Sequence, residues 1–188
     1  KVELRDFFKD EARDFTPWLA EENNLELLGE TLGLDIELED TEVRIGKFSA
    51  DIVGLDRSSN RTIIIENQLE KTNHDHLGKI ITYGGGKDAG IVIWICKKIQ
   101  QEHRKGLDYL NDISTEDYSF FGIEMELWRI GQSTPAPKFN IVVSPNEWSK
   151  SVKSATSTTR TLTDTKILQR EFWTELKDYF TDNNTFLS

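Results

Sequence analysis

A single cysteine in 188 residues excludes a disulfide framework and favours a reduced, intracellular setting. Cys96 sits in the apolar run GIVIWIC, where a small buried hydrophobe is its expected role. No apolar run approaches the roughly 20 residues that a bilayer-crossing helix needs, and no basic-then-apolar leader precedes the first helix. The expectation is a soluble, cytoplasmic protein with no membrane partner. Gly-x-Gly-x-x-Gly, P-loop and Gly-x-Ser-x-Gly patterns are all missing, and the triple glycine after Tyr83 ends a helix rather than opening one, so it is no phosphate cradle. Of the three histidines, His74 and His76 lie about 200° apart on a helix and cannot chelate one zinc ion as an i, i+4 pair does. His103, on the side of its helix that carries Leu107 and Leu110, reads as a core-edge histidine.

Positive charge is also scarce. With 23 Lys and Arg against 33 Asp and Glu, the net charge is -10, which argues against a general nucleic-acid binder gripping phosphates by bulk basicity. The deficit is uneven: residues 1–60 hold 7 basic and 16 acidic side chains, whereas residues 61–110 hold 8 and 6. The stretch after the segment that carries Asp51 is the one basic part of an acidic chain.

What is present suffices for one sizeable core, since 37% of the residues are hydrophobic. The expected organisation is a main domain over 1–148, a Ser/Thr-rich linker over 149–163, and an amphipathic helix over 164–188 with Leu168, Phe172, Leu176 and Tyr179 on one stripe. That stripe must pack back on the main domain, meet a second copy, or begin a further domain. The chain starts at Lys1 rather than Met, which suggests a piece of a longer product.

Within 1–148 the pattern reads as helices alternating with strands. Thr16 is the expected N-cap, and Pro17 the first position, of a helix that carries Leu25, Leu28 and Leu32 to a stop at Gly33. DIELEDTEVRIGKFSADIVGLD alternates in places and becomes apolar on both faces around Ala50 to Leu55, as an interior strand does. A turn at Ser58 to Asn60 joins it to TIIIENQL. A helix from about Asn73 to Tyr83, the strand GIVIWICKK, the helix QQEHRKGLDYLND, and the strands FFGIEMELWRI and KFNIVVS complete a mixed sheet with helices on its faces.

The chemistry-bearing feature is a pair of carboxylates inside apolar strands. Glu66 and Gln68 project to one face of their strand, and pairing across the short turn brings Asp51 to the same point. Two carboxylates held a few ångströms apart repel unless protonated or bridged by a cation, and hard divalent ions take one or two carboxylates plus waters and phosphate. On the helix that follows, His76, Lys79 and Tyr83 fall within an arc of about 60°, beside the core stripe, and would line a cleft edge.

An N-terminal helix with Glu22, then SAD at Asp51, IIIENQ at Glu66 and Gln68, an amphipathic helix and GIVIWI together resemble the PD-(D/E)XK nuclease superfamily. Over IIIENQLEKTNHDHLGKIITYGGG, QEHRKGLDYLND and APKFNIVVSPNEW, within residues 12–148, the chain is more closely similar to a prokaryotic family in which a nuclease-like domain precedes one of unknown function. The resemblance implies a restriction-endonuclease-like α/β core of α-β-β-β-α-β order with added C-terminal strands. It implies Mg2+, or Mn2+, on Asp51 and Glu66, with the Asn67 carbonyl and Glu22 as further ligands; Glu26, one turn on, is the alternative to Glu22. Gln68 stands where the superfamily most often has lysine, and a glutamine supplies no charge; Lys79 is the candidate to replace it, with Gln68 orienting water. Tyr83, His76 and Lys71 are the expected substrate contacts.

The reading that follows is a Mg2+-dependent nuclease acting on DNA in restriction, repair or defence. One competing reading is a nuclease-fold module that binds DNA or protein without catalysis. The other is a structural domain whose carboxylates pair with Arg61 or Lys71. A homodimer, or a C-terminal domain outside this chain, would supply the basic grip that the charge balance withholds.

Overall fold

The computed structural model of the chain describes residues 1–86 and 89–145. The linker expected over 149–163 and the helix expected over 164–188 lie outside the described residues. The first 35 residues supply short helix α1 (Leu4–Phe7), a π-helical turn (Glu11–Phe15), α2 (Thr16–Leu19) and α3 (Glu22–Leu32). Strands β1 (Ile36–Ile45), β2 (Phe48–Asp56) and β3 (Arg61–Lys71) follow, then α4 (His74–Gly86), β4 (Ile91–Lys98), α5 (Gln101–Ile113), β5 (Ser119–Trp128) and β6 (Ala136–Val143).

The six strands form one sheet in sequence order. β1, β2 and β3 pair antiparallel, β3, β4 and β5 pair parallel, and β6 returns antiparallel to β5. Parallel pairing requires a crossover between strands, and α4 and α5 provide the two crossovers. β3 and β4 read as unbroken apolar runs because both of their faces are covered. Ile63, Ile65, Ile91, Ile93 and Ile95 pack with Leu25, Leu28 and Leu32 of α3 and with Phe8 and Phe15. Ile64, Val92 and Trp94 pack on the opposite face with Ile80 and Tyr83 of α4 and Leu107 of α5. Cys96 lies buried at the end of the β4 run, as expected, and burial pushes its thiol up to about 12. No described helix is long and apolar enough to cross a membrane.

One expectation is revised. The helix expected from Thr16 through Leu32 is interrupted after Leu19: Glu21 is extended (φ -61°, ψ 138°), and the Asn24 side-chain amide donates to the Trp18 carbonyl at 2.8 Å, capping the broken end. Gly33 does end α3, in the left-handed conformation (φ 65°) that favours glycine. The stretch DIELEDTEVRIGKFSADIVGLD is two strands folded back at Gly46 and Lys47, with Gly46 at φ 62°, and with β3 they give the three successive strands of the expected α-β-β-β-α-β order. A glycine in the first place of a two-residue hairpin turn matches the twist of the strands it joins.

Candidate active site

The site is built where two paired strands part. The β2–β3 ladder runs from Asp56 opposite Arg61 to Ile52 opposite Ile65 and stops; one more step would set Asp51 opposite Glu66. Instead the Asp51 carboxylate accepts the Asn67 N–H at 2.7 Å. Two residues on, the Leu69 N–H donates to the Glu11 carboxylate at 2.9 Å. The backbone donors on the opened edge of β3 are thus taken by side-chain oxygens rather than left bare, which a buried edge requires. Alternation along the strands puts Asp51 on the side of Val53, and Glu66 and Gln68 on the side of Ile64, the face covered by α4.

Glu66 is completely buried. Its Oε1 accepts from the Lys79 ammonium and lies 3.8 Å from His76 Nε2, while its Oε2 has no hydrogen-bond partner. Burial pushes the Glu66 carboxyl up, against the pull of Lys79. Asp51 is driven to about 8 by burial first and by the Glu66 charge second, in spite of the Asn67 N–H and Lys79. Burial opposes the charge on Lys79, but the Glu66 contact and the Asp51 charge outweigh it and hold the ammonium above its ordinary value. With both carboxyls ionised the one ammonium would leave an excess of negative charge in a poorly solvated place, which is why both hold their protons more tightly than usual.

The imidazole of His76 has a defined tautomer. Asn73 Oδ1 accepts the His76 backbone N–H at 2.9 Å and also lies 2.9 Å from His76 Nδ1. An oxygen in both contacts can only accept, so Nδ1 carries the proton and Nε2 presents a bare lone pair toward Glu66. The ring lies parallel to Trp94, interplanar angle 10°, and burial and Lys79 both lower its basicity. Tyr83, fully buried, donates its hydroxyl to the Ser49 carbonyl at 2.7 Å; burial and the Glu66 charge raise its pKa.

The structure therefore brings together Asp51, Glu66, Lys79, His76 and Tyr83. Gln68 shares their face but turns away, its amide donating to the Lys71 carbonyl at 3.0 Å while its Oε1 stays buried without a partner. Lys71 is exposed and enters the arrangement only through that carbonyl. Asn67 caps Asp51 through its N–H, and its side chain faces the other layer, donating to Thr16 Oγ1 at 3.1 Å. Glu22 and its alternative Glu26 are not brought to the pair: both are exposed on α3, whose leucines pack on the opposite face of the sheet. The carboxylate that the N-terminal segment does deliver is Glu11, whose charge reaches Lys79 and His76. Glu42 was also not anticipated. It stands across from Asp51 on β1, between the pairs Thr41–Ile52 and Val43–Ala50, at φ 54°, and its charge raises both Asp51 and Glu66.

Not every buried carboxylate here asks for a cation. Asp56, at the other end of β2, accepts from Ser58, from Ser59 and from the Asp35 N–H at 3.0 Å, and these outweigh burial to hold it below the usual range. It is a turn cap. His103 is likewise satisfied, at 2.7 Å from Thr72 Oγ1 and 3.0 Å from His74 Nδ1, as expected of a core-edge histidine. Among the described residues no three His, Cys, Asp or Glu side chains close into a ready-made metal cage. The donor set is two carboxylates, one with an orphaned buried oxygen, which fits a hard divalent ion that keeps most of its waters.

A six-stranded mixed sheet with helices on both faces is an α/β arrangement consistent with the restriction-endonuclease-like kind. No protein-family model and no curated protein sequence matches the chain. It is similar to the crystal structure of a repair endonuclease from Pyrococcus abyssi, at 14% identity over 48% of this chain and 42% of that one, with a TM-score of 0.38. It is similar also to an EndoMS–dsDNA complex, at 16% identity over 53% of this chain and 42% of that one, TM-score 0.38. The chain spans about two-fifths of the length of either structure.

Proposed function

We propose that this chain is a divalent-metal-dependent nuclease that hydrolyses phosphodiester bonds in DNA, serving restriction, repair or defence. The observation that carries the reading is the orphaned Oε2 of fully buried Glu66, set beside Asp51 where the two strands part. Asp51 and Glu66 would hold Mg2+ or Mn2+, with the Asn67 carbonyl as a further donor. Such an ion, when bound, lowers the pKa of water and offsets charge on the phosphoryl oxygens.

The chain's own groups do the rest. Lys79 supplies the positive charge that Gln68 cannot, placed to steady the extra negative charge that gathers on the phosphoryl oxygens as water adds. The bare Nε2 of His76 accepts a hydrogen bond from a water entering beside Glu66, and the Asn73 contact keeps it in that role. Water's oxygen forms a bond to phosphorus while the bond to the 3′ oxygen breaks, leaving a 5′-phosphate and a 3′-hydroxyl. Burial under α4 keeps these charges poorly screened, which strengthens each contact.

One observation favours a second reading, a binding module without catalysis: Gln68, at the superfamily's lysine position, turns its amide to Lys71 rather than toward Glu66. Plasmid and single-stranded DNA incubated with Mg2+ or Mn2+ separate the two. The nuclease reading expects cleavage that Asp51→Asn and Glu66→Gln each abolish with the fold intact. Retained DNA binding with no cleavage under any divalent ion would favour the module.

A further inference from the structure

The β1–β2 hairpin outruns the sheet. Its own ladder continues to Ile45 opposite Phe48, whereas β2 leaves β3 at Ile52. Residues 43–50 therefore project past the carboxylate pair as a two-stranded arm. Its foot is fixed: Ile45 and Ala50 are buried with Ile80 and Tyr83, and the Tyr83 hydroxyl bonds the Ser49 carbonyl. Its tip is not covered. Phe48 is 41% exposed, and Arg44 and Lys47 are exposed and, among the described residues, in no ion pair, Arg44 Nε donating only to the Gly46 carbonyl at 3.4 Å.

We propose that this tip, Arg44 to Phe48, is a grip for single-stranded DNA on its way to Asp51 and Glu66, with Phe48 stacking on a base and Arg44 and Lys47 taking phosphates. The proposal rests on the nuclease reading for its destination and on the arm for its chemistry. An exposed aromatic ring at a tip that also carries two exposed cations is a combination that holds unpaired bases without regard to sequence. A duplex hides its base faces in the stack and offers such a ring only its ends. Phe48 lies three residues from Asp51, about 10 Å along the strand, or roughly three stacked nucleotides. The rest of β1 presents Glu39, Asp40 and Glu42, while Glu37 is held by Arg57; these carboxylates repel a phosphate backbone from the outer edge of the sheet and leave the tip as the entry.

The test uses the full chain carrying Asp51→Asn, which prevents cleavage, and follows the anisotropy of a labelled mixed-sequence single strand and of a blunt duplex of the same sequence. The single strand should bind more tightly. Phe48→Ala and Phe48→Leu should each weaken it about tenfold, Leu keeping the bulk and losing the stacking face. Arg44→Gln with Lys47→Gln should weaken both ligands and reduce the slope of log affinity against log salt by about 1.4 for the single strand. Melting temperatures equal to that of the parent establish that the tip variants fold. Equal affinity of parent and Phe48 variants, equal affinity for duplex and single strand, or no binding at low salt would each overturn the proposal. Tip-dependent binding together with an absence of cleavage by the wild-type chain under Mg2+ or Mn2+ would support the grip while sinking the nuclease reading.

Discussion

Replacing Asp51 by asparagine should stabilise the metal-free protein at alkaline pH, although it removes a residue of the site. Asparagine keeps an oxygen to accept the Asn67 N–H and discards the charge. Asp51 holds its proton to about 8 in the folded chain against an ordinary 3.8. The folded state therefore binds more protons than the unfolded one between those values, and stability must fall as pH rises through that window. A shift of that size acting alone is on the order of 5 kcal/mol, at about 1.4 kcal/mol per pH unit. Asp51 and Glu66 compete for the same neutralising charge, so the part that Asp51→Asn relieves is smaller, about 2–3 kcal/mol at about pH 9. For a chain of this length that is a rise in Tm of about 5–10 °C. Thermal unfolding with chelator, from about pH 5 to pH 9, reads it directly: wild type should lose stability as pH rises, and the variant should show a flatter profile. Parallel profiles, or a variant less stable at high pH, would refute the claim that this carboxylate is held in an unfavourable place.

Lys79→Met should act in the opposite sense, leaving buried Glu66 without its ammonium and costing about 2 kcal/mol at neutral pH, as measured by urea unfolding, with any cleavage activity lost as well. Tyr83→Phe removes the hydroxyl that bonds the Ser49 carbonyl and also draws on the Glu66 carboxyl, a loss of about 1 kcal/mol; hydrogen exchange should rise at the foot of the hairpin and not in β4. Asp56→Asn should weaken the turn through Ser58 and Ser59. Because the Asp56 pKa is depressed, the stability it confers is present at neutral pH and disappears as the solution is acidified through that pKa, so the variant should lack part of the wild-type acid transition.

The parts of this molecule that could be read in the sequence are those set by local pattern. The apolar runs at Ile63 to Ile65 and Ile91 to Ile95, the turn ending at Asn60, and the stop at Gly33 each follow from residues within a few positions. The convergence of Asp51 and Glu66 was legible too, since a short turn fixes which residues face each other across a hairpin. The Gly46–Lys47 turn was harder to see, because one glycine inside an alternating stretch signals a bulge as readily as a reversal. That is why Glu42, placed opposite Asp51 only by the reversal, escaped notice. Glu11 escaped for another reason. Several N-terminal glutamates stand at helical positions, and which of them arrives at β3 depends on the break after Leu19 and on the packing of Phe15, neither of which has a local signature. Strand alternation assigns Gln68 its face, but its turn toward Lys71 depends on the irregular end of β3.

The proposed reaction needs Asp51 and Glu66 to share one divalent cation. Calorimetric titration of the chelator-treated protein with Mn2+, in wild type, Asp51→Asn and Glu66→Gln, decides whether they do. Wild type should take up one ion per chain, with protons released at neutral pH as the carboxylates give them up, and neither variant should bind. Heats that are absent in wild type, or that persist unchanged in both variants, would contradict the shared site.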